Sequence, residues 1–158
     1  MAMLEIKVNG LIHKVDVGLR TTLLEVLRDK LGITSPKIGC NRGDCGTCSV
    51  LLDGNLIKSC ITNALTCQGK EVTTVEGLVK PGEFHPLQKA FQEHYGAQCG
   101  FCTPGMILAG KALLDENPNP TREDVKEALS GNLCRCTGYV KIVDSIMAAA
   151  QEMAGQKP

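Results

Sequence analysis

Eight of the nine cysteines fall into two tetrads: Cys40, Cys45, Cys48 and Cys60 in the first half of the chain, and Cys99, Cys102, Cys134 and Cys136 in the second. Four thiolates make a complete ligand set for a soft metal centre. Because the two sets differ in spacing, two unlike metal sites are expected to share one small protein. A disulfide framework is the competing use of so many cysteines, but such frameworks persist mainly in exported proteins. The start, Met-Ala-Met-Leu-Glu-Ile-Lys-Val, shows no leader pattern. A cytoplasmic location is therefore expected, and metal thiolates are the better reading.

In the first tetrad, four residues separate Cys40 from Cys45 and two separate Cys45 from Cys48. This is the spacing with which plant-type [2Fe-2S] sites hold two irons on four thiolates. Glycines at 39, 43 and 46 let the loop fold tightly and turn its N–H groups toward the sulfurs. A hairpin turning on Asp53-Gly54 would pair residues whose numbers add to 107 and set Cys60 opposite Thr47; a three-residue turn would set it opposite Cys48. Either register returns Cys60 to the loop as fourth ligand. Zinc also takes four cysteines, but its sites usually present two short knuckles, whereas here three ligands crowd one glycine-rich loop.

The second tetrad is two close pairs, Cys99 with Cys102 and Cys134 with Cys136, with 31 residues between the pairs. Each pair precedes a predicted helix N-terminus, whose partial positive charge and free N–H groups favour an anionic thiolate centre. Zinc carries more weight here, since paired knuckles are its ordinary pattern.

The elements that must position these residues divide the chain. Leu4, Ile6 and Val8 alternate, Asn9-Gly10 is a hairpin signal, and Leu11, His13, Val15 and Val17 continue the period of two. From Thr21 or Thr22 the period becomes helical through Leu23, Leu24, Val26, Leu27 and Leu31, and stops at Gly32. Residues 50–57 read as a second hairpin and Glu71 to Val75 as one more strand, which gives a small mixed sheet with one helix across it. The boundary is set near the Pro81-Gly82 break, dividing the chain into 1–77 and 78–158. Beyond it helices are expected from Pro86 to Tyr95, with Leu87, Ala90 and Phe91 on one face, and from a Thr103 N-cap to Glu116. Two more are expected behind Thr121-x-x-Asp124 and behind Thr137, the last with a stripe of Val140, Val143, Ile146, Met147 and Ala150. Four helices with short connections favour a bundle.

Composition excludes other classes. Lysine plus arginine equals aspartate plus glutamate at 17 each, with no basic block, so nucleic acid is not an expected partner. No segment approaches the roughly 18 apolar residues of a membrane span. With three phenylalanines, two tyrosines and no tryptophan, aromatic stacking platforms are not expected either.

Three strings, Gly-Cys-Asn-Arg-Gly-Asp-Cys-Gly-Thr-Cys-Ser-Val (39–50), Gln-Cys-Gly-Phe-Cys-Thr-Pro-Gly-Met (98–106) and Gly-Asn-Leu-Cys-Arg-Cys-Thr-Gly-Tyr (131–139), resemble the iron–sulfur subunit of the xanthine oxidase family of molybdenum hydroxylases. Thr-Thr-Val-Glu-Gly-Leu at 73–78 looks like that family's link between domains. The resemblance implies an α+β chain: a β-grasp ferredoxin-like domain, then an all-α four-helix-bundle domain, each holding one [2Fe-2S] cluster. It implies electron transfer between a molybdopterin cofactor on a large subunit and FAD on a medium subunit or domain, in a dimer of heterotrimers. The Cys99/Cys102/Cys134/Cys136 cluster would face molybdenum and the Cys40/Cys45/Cys48/Cys60 cluster would face flavin. Gln98 and Cys136 match the residues that contact the pterin. Only 11 residues separate Cys48 from Cys60, which agrees with this family and not with an independent soluble ferredoxin, the alternative reading. Since the chain ends at Lys157-Pro158, the partner domains are expected on separate chains.

The remaining candidates are assigned structural roles. Cys67 reads as a buried thiol, and His13, His85 and His94 as surface or satisfied-core residues. Arg42 and Arg135 lie in the cysteine loops, where tuning of potential, partner contact and plain solvation are all open.

Overall fold

The computed structural model describes residues 1–80 and 82–155. Pro81, at the predicted break, and residues 156–158, at the chain's end, lie outside the described residues. The N-terminal half is a five-stranded mixed sheet. Its strands are β1 (Ala2–Val8), β2 (Leu11–Val17), β3 (Ser49–Leu52), β4 (Asn55–Lys58) and β5 (Glu71–Thr73), in the order β2-β1-β5-β3-β4. Only the β1–β5 pair is parallel among the described residues. Both hairpins turn on two residues with positive φ, Asn9 and Gly10 at 50° and 84°, Asp53 and Gly54 at 49° and 83°. Such turns carry the twist that antiparallel strands need. In the second hairpin Leu52 pairs with Asn55 and Ser49 with Lys58, which is the two-residue register.

One helical segment crosses this sheet. It begins as α1 (Leu23–Glu25) and widens over Val26–Lys30, where the Leu31 N–H reaches the Val26 carbonyl at 3.1 Å. Thr22 and Glu25 close its start by a reciprocal capping box, and Gly32 at φ +69° ends it. Leu4, Ile6 and Val8 on β1 meet Leu23, Val26 and Leu27 of the helix and Val50, Ala64, Cys67 and Val72, all buried. Burying the alternate face of β1 is what fixes its register. The predicted strand 71–75 stops at Thr73, and residues Val75–Gly77 form a short 3-10 turn instead.

The C-terminal half holds α2 (Pro86–Glu93), α3 (Thr103–Glu116), α4 (Arg122–Ala128) and α5 (Val140–Gly155). Together with α1 this makes five α-helices among the described residues. The four enclose Leu87, Phe91, Met106, Leu114, Val125, Ile142 and Ile146. Three expectations are corrected here. The cap position of α3 is Cys102, with no side-chain cap bond, so Thr103 is the first helical residue. Val140, the first residue of α5, is 61% exposed and Met147 is only partly buried, so the stripe runs through Ile142, Val143, Ile146, Ala149 and Ala150. Thr137, expected as the cap of this helix, instead accepts the Tyr139 N–H at 3.2 Å and turns its hydroxyl to the Cys134 sulfur at 3.1 Å.

The two halves meet along a polar seam. Asn132 is 2% exposed; its amide donates to the Gly46 carbonyl at 3.0 Å and its carbonyl accepts from Lys58 at 3.2 Å. Gly46 and Gly105 allow this approach: a Cβ on Gly105 would stand 2.5 Å from the Gly46 carbonyl oxygen, and one on Gly46 2.4 Å from that of Gly131.

Candidate metal centres

The loop from Gly39 to Cys48 wraps its main chain round sulfur. The N–H groups of Arg42, Asp44 and Cys45 donate to Cys40 Sγ at 3.4, 3.3 and 3.4 Å, and the Cys40 N–H donates to Cys45 Sγ at 3.3 Å. These bonds, that of Arg42 foremost and that of Cys45 next, pull the Cys40 thiol down to about 6. Gly43 at φ +90° and Asn41 at φ 54° put those amides in place. Beyond the ladder the Cys48 carbonyl still accepts from Ser59, from its N–H at 3.3 Å and from its hydroxyl at 2.6 Å. That carries Cys60 back against Cys48, where both pack with Leu24 in a small buried cluster. Burial first, and the Cys48 thiol second, push Cys60 up to about 11.

The second tetrad gathers between the start of α3 and the loop before α5. Cys99 and Cys136 lie 3.6 Å apart, sulfur to sulfur, and both are exposed. Cys102 and Cys134 form the deeper pair: burial, then the neighbouring Cys134, push Cys102 up to about 12. Burial, the largest single influence, acts to raise Cys134, but the Thr137 hydroxyl and N–H, at 3.1 and 3.5 Å, together with the Cys136 N–H and the Cys102 thiol, outweigh it and hold its pKa below the ordinary thiol value. Cys136 is held above that value by Cys99.

The thiols therefore stand in two pairs per site, 40 with 45 and 48 with 60, 99 with 136 and 102 with 134. Two pairs of thiolates with N–H groups aimed at sulfur fit a two-iron, two-sulfide centre, in which each iron takes two protein ligands.

The first half matches the 2Fe-2S iron-sulfur cluster binding domain over residues 6–74, and the second the [2Fe-2S] binding domain over 74–147. The small subunit of nicotine 6-hydroxylase from Paenarthrobacter nicotinovorans is 44% identical over 153 residues, covering 97% of this chain and 92% of that one. The chain belongs to the iron–sulfur subunits of the xanthine oxidase family of molybdenum hydroxylases. As such it is an electron-transfer subunit of a molybdenum-containing oxidoreductase, with two [2Fe-2S] clusters. It is 47% identical over 156 residues to an aldehyde oxidoreductase from Megalodesulfovibrio gigas, covering 97% of this chain but only 17% of that protein. The structure of quinoline 2-oxidoreductase from Pseudomonas putida 86 contains a chain superposing with a TM-score of 0.93, at 41% identity over 99% of this chain and 98% of that one. Among the described residues no helix is long and apolar enough to cross a membrane.

Other predicted residues fall as follows. Gln98 is exposed beside Cys99. Arg135, Phe101, Leu133 and Tyr139 line, with Cys99 and Cys136, an open cavity of about 450 Å³. Arg42 pairs with Asp44 at 2.6 Å on the surface. Cys67 is fully buried, and burial raises its pKa. His85 caps α2, its Nδ1 accepting the Leu87 N–H at 3.2 Å. Sequence reasoning missed Asn132 and Lys58 at the seam, and Tyr139, whose hydroxyl accepts the Cys134 N–H at 2.9 Å and donates to the Asn132 carbonyl. A buried asparagine two residues before a cysteine carries no periodic signal.

Proposed function

We propose that Cys40, Cys45, Cys48 and Cys60 hold one [2Fe-2S] cluster and Cys99, Cys102, Cys134 and Cys136 the other, in a β-grasp domain of residues 1–77 and a four-helix-bundle domain of residues 78–158. When bound, each centre takes up and gives up one electron. The observation that carries this reading is the pairing of thiols at two sites joined by one main-chain bond: the Leu133 N–H, next to Cys134, donates to the Cys45 carbonyl at 2.9 Å. The protein thus sets a ligand loop of one site against a ligand loop of the other.

The exposed side of the second site supports a role facing the molybdopterin of a large subunit. Cys99, Cys136 and Gln98 stand at the surface, beside a cavity floored by apolar Phe101, Leu133 and Tyr139. We assign the pterin contact to Gln98 and Cys136, and the far end of the relay, at the Cys40 loop, to FAD on a medium subunit or domain, within a dimer of heterotrimers. Substrate turnover is assigned to the large subunit. The test is reconstitution of the full chain: about four irons and four acid-labile sulfides per chain, with two distinct paramagnetic signals on reduction, are expected. A colourless protein retaining zinc would overturn the reading.

A further inference from the structure

Lys58 places a charge in the seam that the ligand sets do not use. It closes β4, two residues before Cys60, and is half-buried. Its Nζ donates to the Gly131 carbonyl at 2.7 Å, to Ser49 Oγ at 3.2 Å and to Asn132 Oδ1 at 3.2 Å. Three bonds occupy all three ammonium donors, and every acceptor is neutral. Two of the acceptors lie in the second half of the chain, on the loop that runs on to Cys134. Burial, the largest influence, holds the Lys58 pKa below the ordinary lysine value, with the thiols of Cys48, Cys45, Cys60 and Cys40, in that order, opposing it.

We propose that Lys58 is a positioning residue for the relay, whose fixed positive charge raises the reduction potential of the Cys40–Cys60 centre and so makes that centre the favoured resting place of an electron. The inference rests on the ligand reading above. Reduction adds one negative charge to a four-thiolate centre, and the electron arrives from the neighbouring centre or a partner cofactor with no proton in the balance. A cation held by three hydrogen bonds in a half-buried seam stabilises the more negative state, because it is screened less there than in bulk water. Its rigid tether matters as much as its charge. An ammonium tied at three points cannot swing out to solvent as a free lysine would, so the field it exerts on the ligand loop is constant.

The test is a redox titration of the full two-cluster chain, followed by electron paramagnetic resonance, in the wild type and in Lys58→Gln, Lys58→Met and Lys58→Arg. Two signals in the wild type verify the centres by themselves, so their absence would count against the ligand reading and not against Lys58. In Lys58→Gln and Lys58→Met the oxidised-to-reduced ratio of the first centre at a fixed potential should rise about tenfold, a fall of about 59 mV in midpoint for a one-electron couple. The second centre should move less, and Lys58→Arg should return the first close to its wild-type value. An unmoved first centre in Lys58→Gln, or equal falls in Lys58→Gln and Lys58→Arg, would overturn the assignment. Should Lys58→Met fail to keep both clusters, the Gln and Arg pair decides; loss of clusters in Gln alone would show a clamp without a tuning role.

Discussion

Cys136 stands at the surface 3.6 Å from Cys99, while its neighbour Cys134 is held inside by Thr137 and Tyr139. Replacing Cys136 by serine removes one thiolate from the second site and leaves the Cys40 loop untouched. The expected result is loss or distortion of one paramagnetic signal with the other intact, and a change at the pterin in the assembled complex; two unaltered signals would sink the ligand assignment. His85 is a different kind of residue, and its chemistry is pH. Burial, and then the Lys111 charge, depress its pKa below 6.5, with Asp115 opposing, and its neutral Nδ1 is needed to cap α2. The sign follows from linkage: the unfolded chain binds the proton first as pH falls below about 6.5, so the contribution present at neutral pH is lost on acidification. His85→Asn keeps a cap acceptor without the titration. Its melting temperature should fall less between pH 7 and pH 5 than that of the wild type, as differential scanning calorimetry would read.

At the scale of elements, caps and glycines set where each segment starts and how closely the halves approach. Thr121 and Asp124 close the start of α4 reciprocally, at 3.2 and 2.8 Å. Thr121→Ala should cost about 1 kcal/mol by chemical denaturation, with no change in cluster content. Gly46→Ala should cost more. Its φ of +74° suits glycine, and the added methyl would meet the Gly131 carbonyl oxygen and the Asn132 side chain. Both strain and overpacking act, so a loss of about 3 kcal/mol is expected, together with a looser seam seen as faster proteolysis between the halves. Much of this scale was legible in the chain. Asn9-Gly10 and Asp53-Gly54 specify their turn type, which fixed the register that returns Cys60. The start of α5 was misplaced because Thr137 serves the Cys134 sulfur instead of the helix, a competition no local pattern reveals, and α3 begins one residue early, with Thr103 inside the helix and Cys102 at its cap.

Among the described residues two large apolar cores, one in each half, are joined by a seam that lies between the two candidate metal sites. Because ligand loops have few buried apolar contacts of their own, removal of iron by a chelator should deprotect amides in 39–48 and 133–138 while β1 and β2 keep theirs. Hydrogen exchange read by mass spectrometry checks this; uniform loss of protection would mean that the metal supports the sheet as well. The division between sequence and structure follows from the range of the forces involved. Cysteine spacing, turn dipeptides and helical periodicity are local, and they determined by themselves the ligand candidates, the mixed sheet with its crossing helix, and the helical second half. The pairing of Cys99 with Cys136 and of Cys102 with Cys134, the bond from Leu133 to the Cys45 carbonyl, and the burial of Lys58 among neutral acceptors join residues as many as 88 positions apart. Only the tertiary structure decided those, since close approach at a seam depends on two packed cores meeting where Gly46 and Gly105 leave room.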